Sequence, residues 1–392
     1  MEVRPGYKQT EVGILPEDWG VRPCSELSER IMVGIVIRPA QYYVRYGVPA
    51  LRSANIREGG ITDIDLVFIS EASNALLGKS QTRVGDVLTV RTGYPGTSAV
   101  VRPVHAGCNC IDILITRPSG KHDPDYLAIW VNSSFGKEQV LRNQGGLAQK
   151  HFNVGDMRNL VVALPPLPEQ RAIATALGDV DALIRTLDQL IAKKRDLKQA
   201  AMQQLLTGRT RLPTFRGDWE VRKLGSVLCY EQPTDYLVES SDYDDNYDVA
   251  VLTANKSFVL GYTDEHYGVC ETLPVVIFDD FTTATKYVDF PFKVKSSALK
   301  ILRLRDGRDD LRYLFWRMQL IRFPLGDHKR YWISEYQNIE IPVPSPAEQS
   351  AITAVLVDMD AEITALEARR DKTRALKQGM MQELLTGRTR LV

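Results

Sequence analysis

The sequence predicts an α+β protein, with two mixed α/β domains separated by two long helices that form an antiparallel coiled coil with pseudo-twofold symmetry. Three observations lead there. A ten-residue phrase occurs twice, as "QQLLTGRTRL" at Gln203–Leu212 and as "QELLTGRTRL" at Gln382–Leu391. The match runs upstream without a gap at the same offset (382 − 203 = 179), so that 25 of the 44 positions from Glu169 to Leu212 are identical to their partners. The segments ahead of the two copies also begin alike, "EDWGVRPCSEL" from Glu17 and "GDWEVRKLGSV" from Gly217, while their interiors do not align. A repeat of this length is one structural unit used twice.

The repeated segment reads as a helix. Glu169–Thr207 contains no proline and a single glycine, Gly178. Ile173, Leu177, Val180, Ile184, Leu187 and Ile191 recur in alternating steps of four and three, the seam of a coiled coil rather than the broad stripe of a bundle helix. The pattern then slips phase through Leu190, Leu197, Ala201 and Leu205, and the second copy repeats the theme from Ile352 to Leu384. Ser345-Pro346-Ala347-Glu348 predicts a capping box with proline at the first helical position. Gly208 and Gly387 predict left-handed ends, and Pro213 blocks continuation of the first helix. Each helix should have about 39 residues and a length of roughly 58 Å. The intervening domain of about 130 residues has a radius of gyration near 14 Å, too small to carry the chain back over that distance. The pair is therefore expected to be antiparallel.

The expected divisions are a first domain at 1–163, a long helix at 164–212, a second domain at 213–343 and a second long helix at 344–392. Both domain interiors read as β-rich: "GDVLTVRTG" and "AVVRPV" in the first, "YDVAVLTA", "PVVIFDDFTTATKYVDF" and "ALKILRLR" in the second. Short helices, "DYLAIWVNSS" and "DLRYLFWRMQLI", are expected to pack on those sheets.

Composition narrows the function. A chain of 392 residues suits two domains. Its 49 basic and 49 acidic residues cancel, which weighs against a protein that grips nucleic acid alone, because phosphate contacts dominate such affinity. No run of about 18 apolar residues is present to span a membrane, and the N-terminus lacks the apolar core of a signal peptide. Five cysteines without framework spacing fit a reducing cytoplasm, the expected location. "ESSDYDDNYD" (Glu239–Asp248) reads as a solvated acidic loop.

Chemistry is mostly missing. There is no Gly-x-x-x-x-Gly-Lys-Ser/Thr phosphate loop, and neither an Asn-Pro-Pro-aromatic nor an Asp-Pro-Pro-Tyr motif. "HAGCNC" offers His105, Cys108 and Cys110 as ligands but no fourth partner with paired spacing, so buried thiols are expected there and no metal. Asp279-Asp280 reads as a loop or strand end. No cofactor is expected.

The order of two variable domains and two repeated helices resembles the specificity subunit of type I restriction–modification systems. "GYKQTEVGILPEDWGV", "VPALRSANIREGGI", "GDVLTVRTGYPGTSAVV" and both Pro-x-Glu-Gln or Pro-Glu-Gln helix starts carry the resemblance, which covers essentially the whole chain. It implies that the two domains are target-recognition domains, each reading one half of a bipartite site in double-stranded DNA. It implies that the helices fix the spacer and dock two adenine-N6 methyltransferase subunits, with motor–nuclease subunits joining. A chain of this kind performs no chemistry itself. Two dissimilar interiors predict unlike half-sites. A coiled-coil adaptor that binds no DNA and a free-standing DNA-binding regulator are the competing readings.

Two polar loops occupy equivalent places ahead of the helices. "NQGGLAQKHF" offers Asn143, Gln144, Gln149, Lys150 and His151; "LGDHKRYW" offers His328, Lys329, Arg330 and Tyr331. Asn and Gln suit adenine edges, and Arg or Lys suits guanine. Arg91, Thr92 and Tyr94 in "RTGYPG", and Lys286 with Tyr287 in "TTATKY", are secondary candidates for DNA contact. Trp19 and Trp219 are expected as core anchors. Arg209, Arg211, Arg388 and Arg390 are expected as the charged part of a partner-docking surface presented twice, against the plainer reading of a basic tail complementing each helix dipole.

Overall fold

The computed structural model describes residues 4–142, 151–253, 257–324 and 330–391. The chain divides into two compact units, residues 1–189 with 368–392, and residues 190–367. Each of the two long helices therefore contributes one part to each unit.

In the first unit the main sheet consists of β1 (Ser28–Val33), β2 (Val87–Val90), β3 (Ser98–Val100) and β4 (Ile113–Pro118). Their order is β3-β2-β4-β1, antiparallel throughout. A smaller sheet holds Val48–Leu51 parallel to Asn109–Cys110. Helix α1 (Pro124–Asn132) starts at Asp123, whose carboxylate accepts the Tyr126 N–H at 3.0 Å. Its Tyr126, Leu127 and Trp130 join Trp19, Phe152, Ile173 and Leu177 in one buried core. Gly20–Pro23 pairs with Val161–Leu164 and delivers the chain into the first long helix, α2 (Leu167–Leu205).

The second unit repeats this plan with a different sequence. Strands β5 (Leu228–Glu231), β6 (Val275–Asp279), β7 (Thr285–Val288) and β8 (Leu299–Leu304) are ordered β7-β6-β8-β5, again antiparallel. Val249–Leu252 runs parallel to Phe292–Val294. Helix α3 (Leu311–Gln319) starts at Asp310, which accepts the Tyr313 N–H at 2.9 Å. Glu220–Lys223 pairs with Glu340–Val343 ahead of the second long helix, α4 (Pro346–Leu384).

Both long helices have 39 residues. Within the first unit Lys377 pairs with Asp181 and Arg370 with Asp188: seven residues up one helix are seven down the other, so the two segments are antiparallel. Within the second unit Lys194 meets Glu362 and Lys198 meets Asp360, giving the same sense. Ile173, Leu177, Leu187 and Ile191 of the predicted seam are buried. The predicted phase slip is corrected at Leu190, Leu197 and Leu376, which are exposed by 37%, 48% and 59% and do not continue the buried stripe. The capping box is also corrected. Ser345 Oγ accepts the Glu348 N–H, but the Glu348 carboxylate turns to Arg211 and Trp219.

The "LLTGRTR" phrases end the helices identically. Thr210 N–H reaches back to Gln204 O at 3.2 Å, and Thr389 N–H to Glu383 O at 3.3 Å, with Gly208 and Gly387 at φ of 70° and 65°. These bonds satisfy carbonyls that a helix end leaves open. A Cβ on Gly208 would touch the Trp219 ring at 3.4 Å, whereas one on Gly387 would stand 2.4 Å from Pro16 Cγ. Gly208→Ala is thus expected to cost about 1–2 kcal/mol for the left-handed backbone alone, and Gly387→Ala clearly more. Urea unfolding of both variants checks this; equal losses would show that the Pro16 contact relaxes freely.

The acidic loop of the second unit is anchored at its start. Glu265 accepts the Glu239 and Ser240 N–H groups and pairs with buried Lys293 at 2.8 Å. Burial alone would raise the Glu265 carboxyl, but Lys293 and the two backbone donors outweigh it and hold the group below its ordinary value. A carboxylate depressed in the folded state stabilises above its unfolded pKa of about 4.3 and loses that contribution as pH falls through the folded value. The stability gap between the wild type and Glu265→Gln should therefore be wide at pH 7 and close as pH falls below about 4. A gap independent of pH would refute this.

Candidate nucleic-acid interface

The candidate contacts of the first unit gather where β2 ends. Phe152 N–H donates to Arg91 O at 3.2 Å, and the Arg91 guanidinium binds the Asp112 carboxylate and Phe152 O. Thr92 Oγ1 donates to the other Asp112 oxygen at 2.9 Å and lies 3.5 Å from His151 Nδ1. Thr92, Tyr94 and His151 are exposed, Tyr94 by 84%. Arg91, a secondary candidate for DNA contact, is engaged through its guanidinium by Asp112 and Phe152. Asn143, Gln144, Gln149 and Lys150 lie outside the described residues.

The second unit has an equivalent anchor. Tyr331 N–H donates to the carbonyl of Asp280, the residue just after β6, at 3.1 Å. Asp280 also accepts the Trp332 N–H at 2.8 Å and faces Lys300 at 3.7 Å, both side chains nearly fully buried. The ion pair is charge-reversed relative to its counterpart: Arg91 follows β2 and Asp112 precedes β4, whereas Asp280 follows β6 and Lys300 lies on β8. Burial lowers the Lys300 ammonium pKa, and Asp280 opposes that shift. Tyr331 is 1% exposed and packs edge-on against Phe323, so its place among DNA-reading side chains is corrected to the core. Arg330 is exposed. Lys286 is exposed on β7, and the Tyr287 ring beside it lies under the Arg312 guanidinium at 4.4 Å. His328 and Lys329 lie outside the described residues.

The four repeated arginines separate into two kinds. Arg390 grips Glu169 with two bonds of 2.7 and 2.8 Å and also binds Asp18; the Trp19 indole N–H donates to the same glutamate at 3.3 Å. Arg211 binds Glu348 at 2.7 and 2.6 Å, and Trp219 donates to it at 3.2 Å. Each glutamate opens one long helix, and each arginine follows the end of the other. Glu169 and Glu348 are almost fully buried. Arg211 and Arg390, expected as charged parts of a docking surface, are engaged as intramolecular latches. Arg209 and Arg388 are exposed.

Sequence reasoning missed the partners of these latches, although the repeated Glu-Gln was in plain view. Gln170 and Gln349 complete the joint: their side-chain oxygens accept the N–H of Asp123 and Asp310, the residues that start α1 and α3. Among the described residues no three His, Cys, Asp or Glu side chains are placed to hold an ion. His105 Nε2 lies 2.9 Å from Asp63, and Cys108 and Cys110 are buried thiols. Asp279 accepts the Phe281 N–H and the Thr282 hydroxyl.

Comparison with known proteins agrees with this architecture. Residues 81–193 match the family described as the type I restriction modification DNA specificity domain. The chain is 46% identical over 153 residues to the type I restriction enzyme EcoR124I/EcoR124II specificity subunit of Escherichia coli, a match that covers 37% of this chain and 38% of that one. It is 24% identical over 414 aligned positions to the putative type I restriction enzyme MjaX specificity subunit of Methanocaldococcus jannaschii, covering 98% and 97%. In fold it is similar to the type I S subunit from M. genitalium, with a TM-score of 0.61, 12% identity and 98% of both chains covered. A chain from a type I restriction–modification assembly gives a TM-score of 0.57 at 19% identity, covering 95% and 99%. Residues 81–193 thus match the type I restriction modification DNA specificity domain, and the chain as a whole is similar to specificity subunits of type I restriction enzymes. Its mixed helix and strand content is that of these structural neighbours, and no helix among the described residues is long and apolar enough to cross a membrane.

Proposed function

We propose that this chain is a non-catalytic, cytoplasmic DNA-recognition subunit whose two domains each read one half of a bipartite, asymmetric site in double-stranded DNA. In this reading residues 1–163 and 213–343 are the target-recognition domains. Residues 164–212 and 344–392 form an antiparallel coiled coil that relates them by a pseudo-twofold axis and sets the spacer. Two inverted half-sites along one duplex suit such symmetry. The observation that carries the reading is the pair of sheets with one strand order and unlike sequences, each bringing an anchored polar loop end to the same place.

The coil would dock two adenine-N6 methyltransferase subunits, with motor–nuclease subunits completing a restriction enzyme. Those partners would clamp the duplex and supply phosphate contacts that a chain of zero net charge lacks. Support for twofold docking comes from the repeat itself. Once the latch residues are set aside, Leu197, Gln199 and Arg209 remain identical to Leu376, Gln378 and Arg388 and are exposed in both copies.

Modified-base sequencing of a host genome with and without this gene tests the proposal. The expected result is loss of N6-methyladenine from one split, asymmetric motif marked on both strands. An unchanged methylome in cells expressing this chain and its methyltransferase would sink the proposal.

A further inference from the structure

From Arg30 to Arg57 the sequence contains five arginines and no acid, in a protein whose charges balance as a whole. The middle of this run, Ile35–Tyr46, is an arm fixed at its two ends and paired in its middle. Glycines pin both its ends: a Cβ on Gly34 would lie 2.3 Å from Cys110 O, and one on Gly47 would lie 2.3 Å from Ile69 O. Between them the chain makes a short turn at Pro39–Tyr42 and a two-residue strand, Tyr43–Val44, paired to Phe68 and Ile69. Held this firmly, the arm still presents apolar and aromatic groups to solvent. Ile37 is 74% exposed and Tyr46 75%, with Arg38 and Arg45 exposed beside them. Exposed apolar groups on a pinned, acid-free segment mark a binding face.

The arm's position says what it faces. Ile35 O accepts the Asp112 N–H at 3.0 Å, and Ile35 bridges Ile111. Asp112 is the residue whose carboxylate holds Arg91 and Thr92 beside His151. The arm thus leaves the sheet at the candidate interface itself. The equivalent stretch of the second unit, Glu231–Asp248, also begins with a short turn, Pro233–Tyr236, and bridges to the parallel strand through Leu237 and Val294. That stretch carries seven acids and no Lys or Arg.

We propose that Ile35–Tyr46 is a DNA-binding arm present in the first domain alone, with Arg38 and Arg45 on backbone phosphates and Ile37 and Tyr46 against the groove wall. The proposal rests on the recognition function above and adds an asymmetry to it: the first half-site is held by more phosphate contacts than the second. Phosphate contacts position a protein and set its salt dependence, while apolar contacts do not.

The test uses the full chain assembled with its methyltransferase, and a duplex carrying the motif found in the wild-type methylome. Binding is measured across a series of salt concentrations for R38A/R45A, Y46A and the charge-matched control R216A/R308A, with R45E as a second arm variant and circular dichroism as the folding check. The slope of log affinity against log salt should fall by about 0.9 for each phosphate left without its arginine, so by about 1.8 for R38A/R45A. Y46A should weaken binding without changing the slope, and the control should do neither. An unchanged affinity and slope for R38A/R45A and R45E, in a wild-type complex that binds its site, would overturn the arm and leave the recognition function standing. An equal slope change in the control would overturn it as well, as would loss of methyltransferase assembly with DNA contact intact. Failure of the wild-type complex to bind any duplex would overturn the recognition function and the arm together.

Discussion

Replacing Arg390 by methionine should destabilise the first unit by about 3 kcal/mol, and Arg211→Met should destabilise the second for the same reason. The reason is what each arginine leaves behind. Glu169 and Glu348 are 2% and 1% exposed, and each would remain as a buried carboxylate held by one indole N–H. Removing one partner of a buried pair costs about 3–5 kcal/mol. The arginines, 30% and 26% exposed, keep some water, and the carboxylates sit favourably at helix N-termini, which sets the expectation at the low end. Two controls make it specific. Arg388→Met removes a cation whose side chain is 65% exposed and pairs with Glu383 across 3.6 Å, and exposed pairs contribute about 1 kcal/mol or less. Removing both latch partners, as in R390M with Glu169→Leu, should restore much of the stability, because no charge is then stranded. Urea unfolding of the full chain measures all four variants. A destabilisation by Arg390→Met no larger than that by Arg388→Met would show the latch to be ornamental.

Asp280→Ala should be the second large effect, again about 3–5 kcal/mol, and confined to the second unit. Lys300 and Asp280 are both nearly fully buried, so deleting the carboxylate strands an ammonium that burial already disfavours. The same deletion frees the Trp332 N–H, which lies close in sequence to the exposed Arg330 of the candidate interface. Asp280→Asn keeps an acceptor for that N–H and should recover part of the stability but not the charge pairing. In the methylome, the variants should blur one half of the split motif and leave the other half intact. Blurring of both halves would refute the assignment of one half-site to each domain.

The sequence made some of this legible and hid the rest for physical reasons. Helix length and ends followed from a periodic seam, two glycines and a repeat, and the antiparallel sense from the small size of the domain between the two copies. The shared strand order of the two sheets was hidden, because a sheet needs alternating burial and pairing partners, not particular residues. Only Asp123 with Tyr126 and Asp310 with Tyr313 betray the common plan, and an eight-residue difference in spacing (310 − 123 = 187 against 179) conceals them. At the candidate sites, exposure decided what residue type could not. Arg390 and Arg209 look equivalent in the string, yet one turns inward to a buried glutamate and the other faces water. Tyr331, polar by neighbourhood, is held inside by Phe323.

The way the units are cut from the chain has a consequence for synthesis. All of the second unit lies in one uninterrupted stretch, residues 190–367, whereas the first needs residues 368–392 before it is whole. Domains emerging from a ribosome fold as their residues become available. The domain that is translated first is therefore finished last: its latch waits for Arg390, and until that residue emerges Glu169 has no arginine to grip. The second unit has by then had every one of its residues. A released chain truncated after residue 367 should hold a protease-resistant second unit beside an incomplete first one.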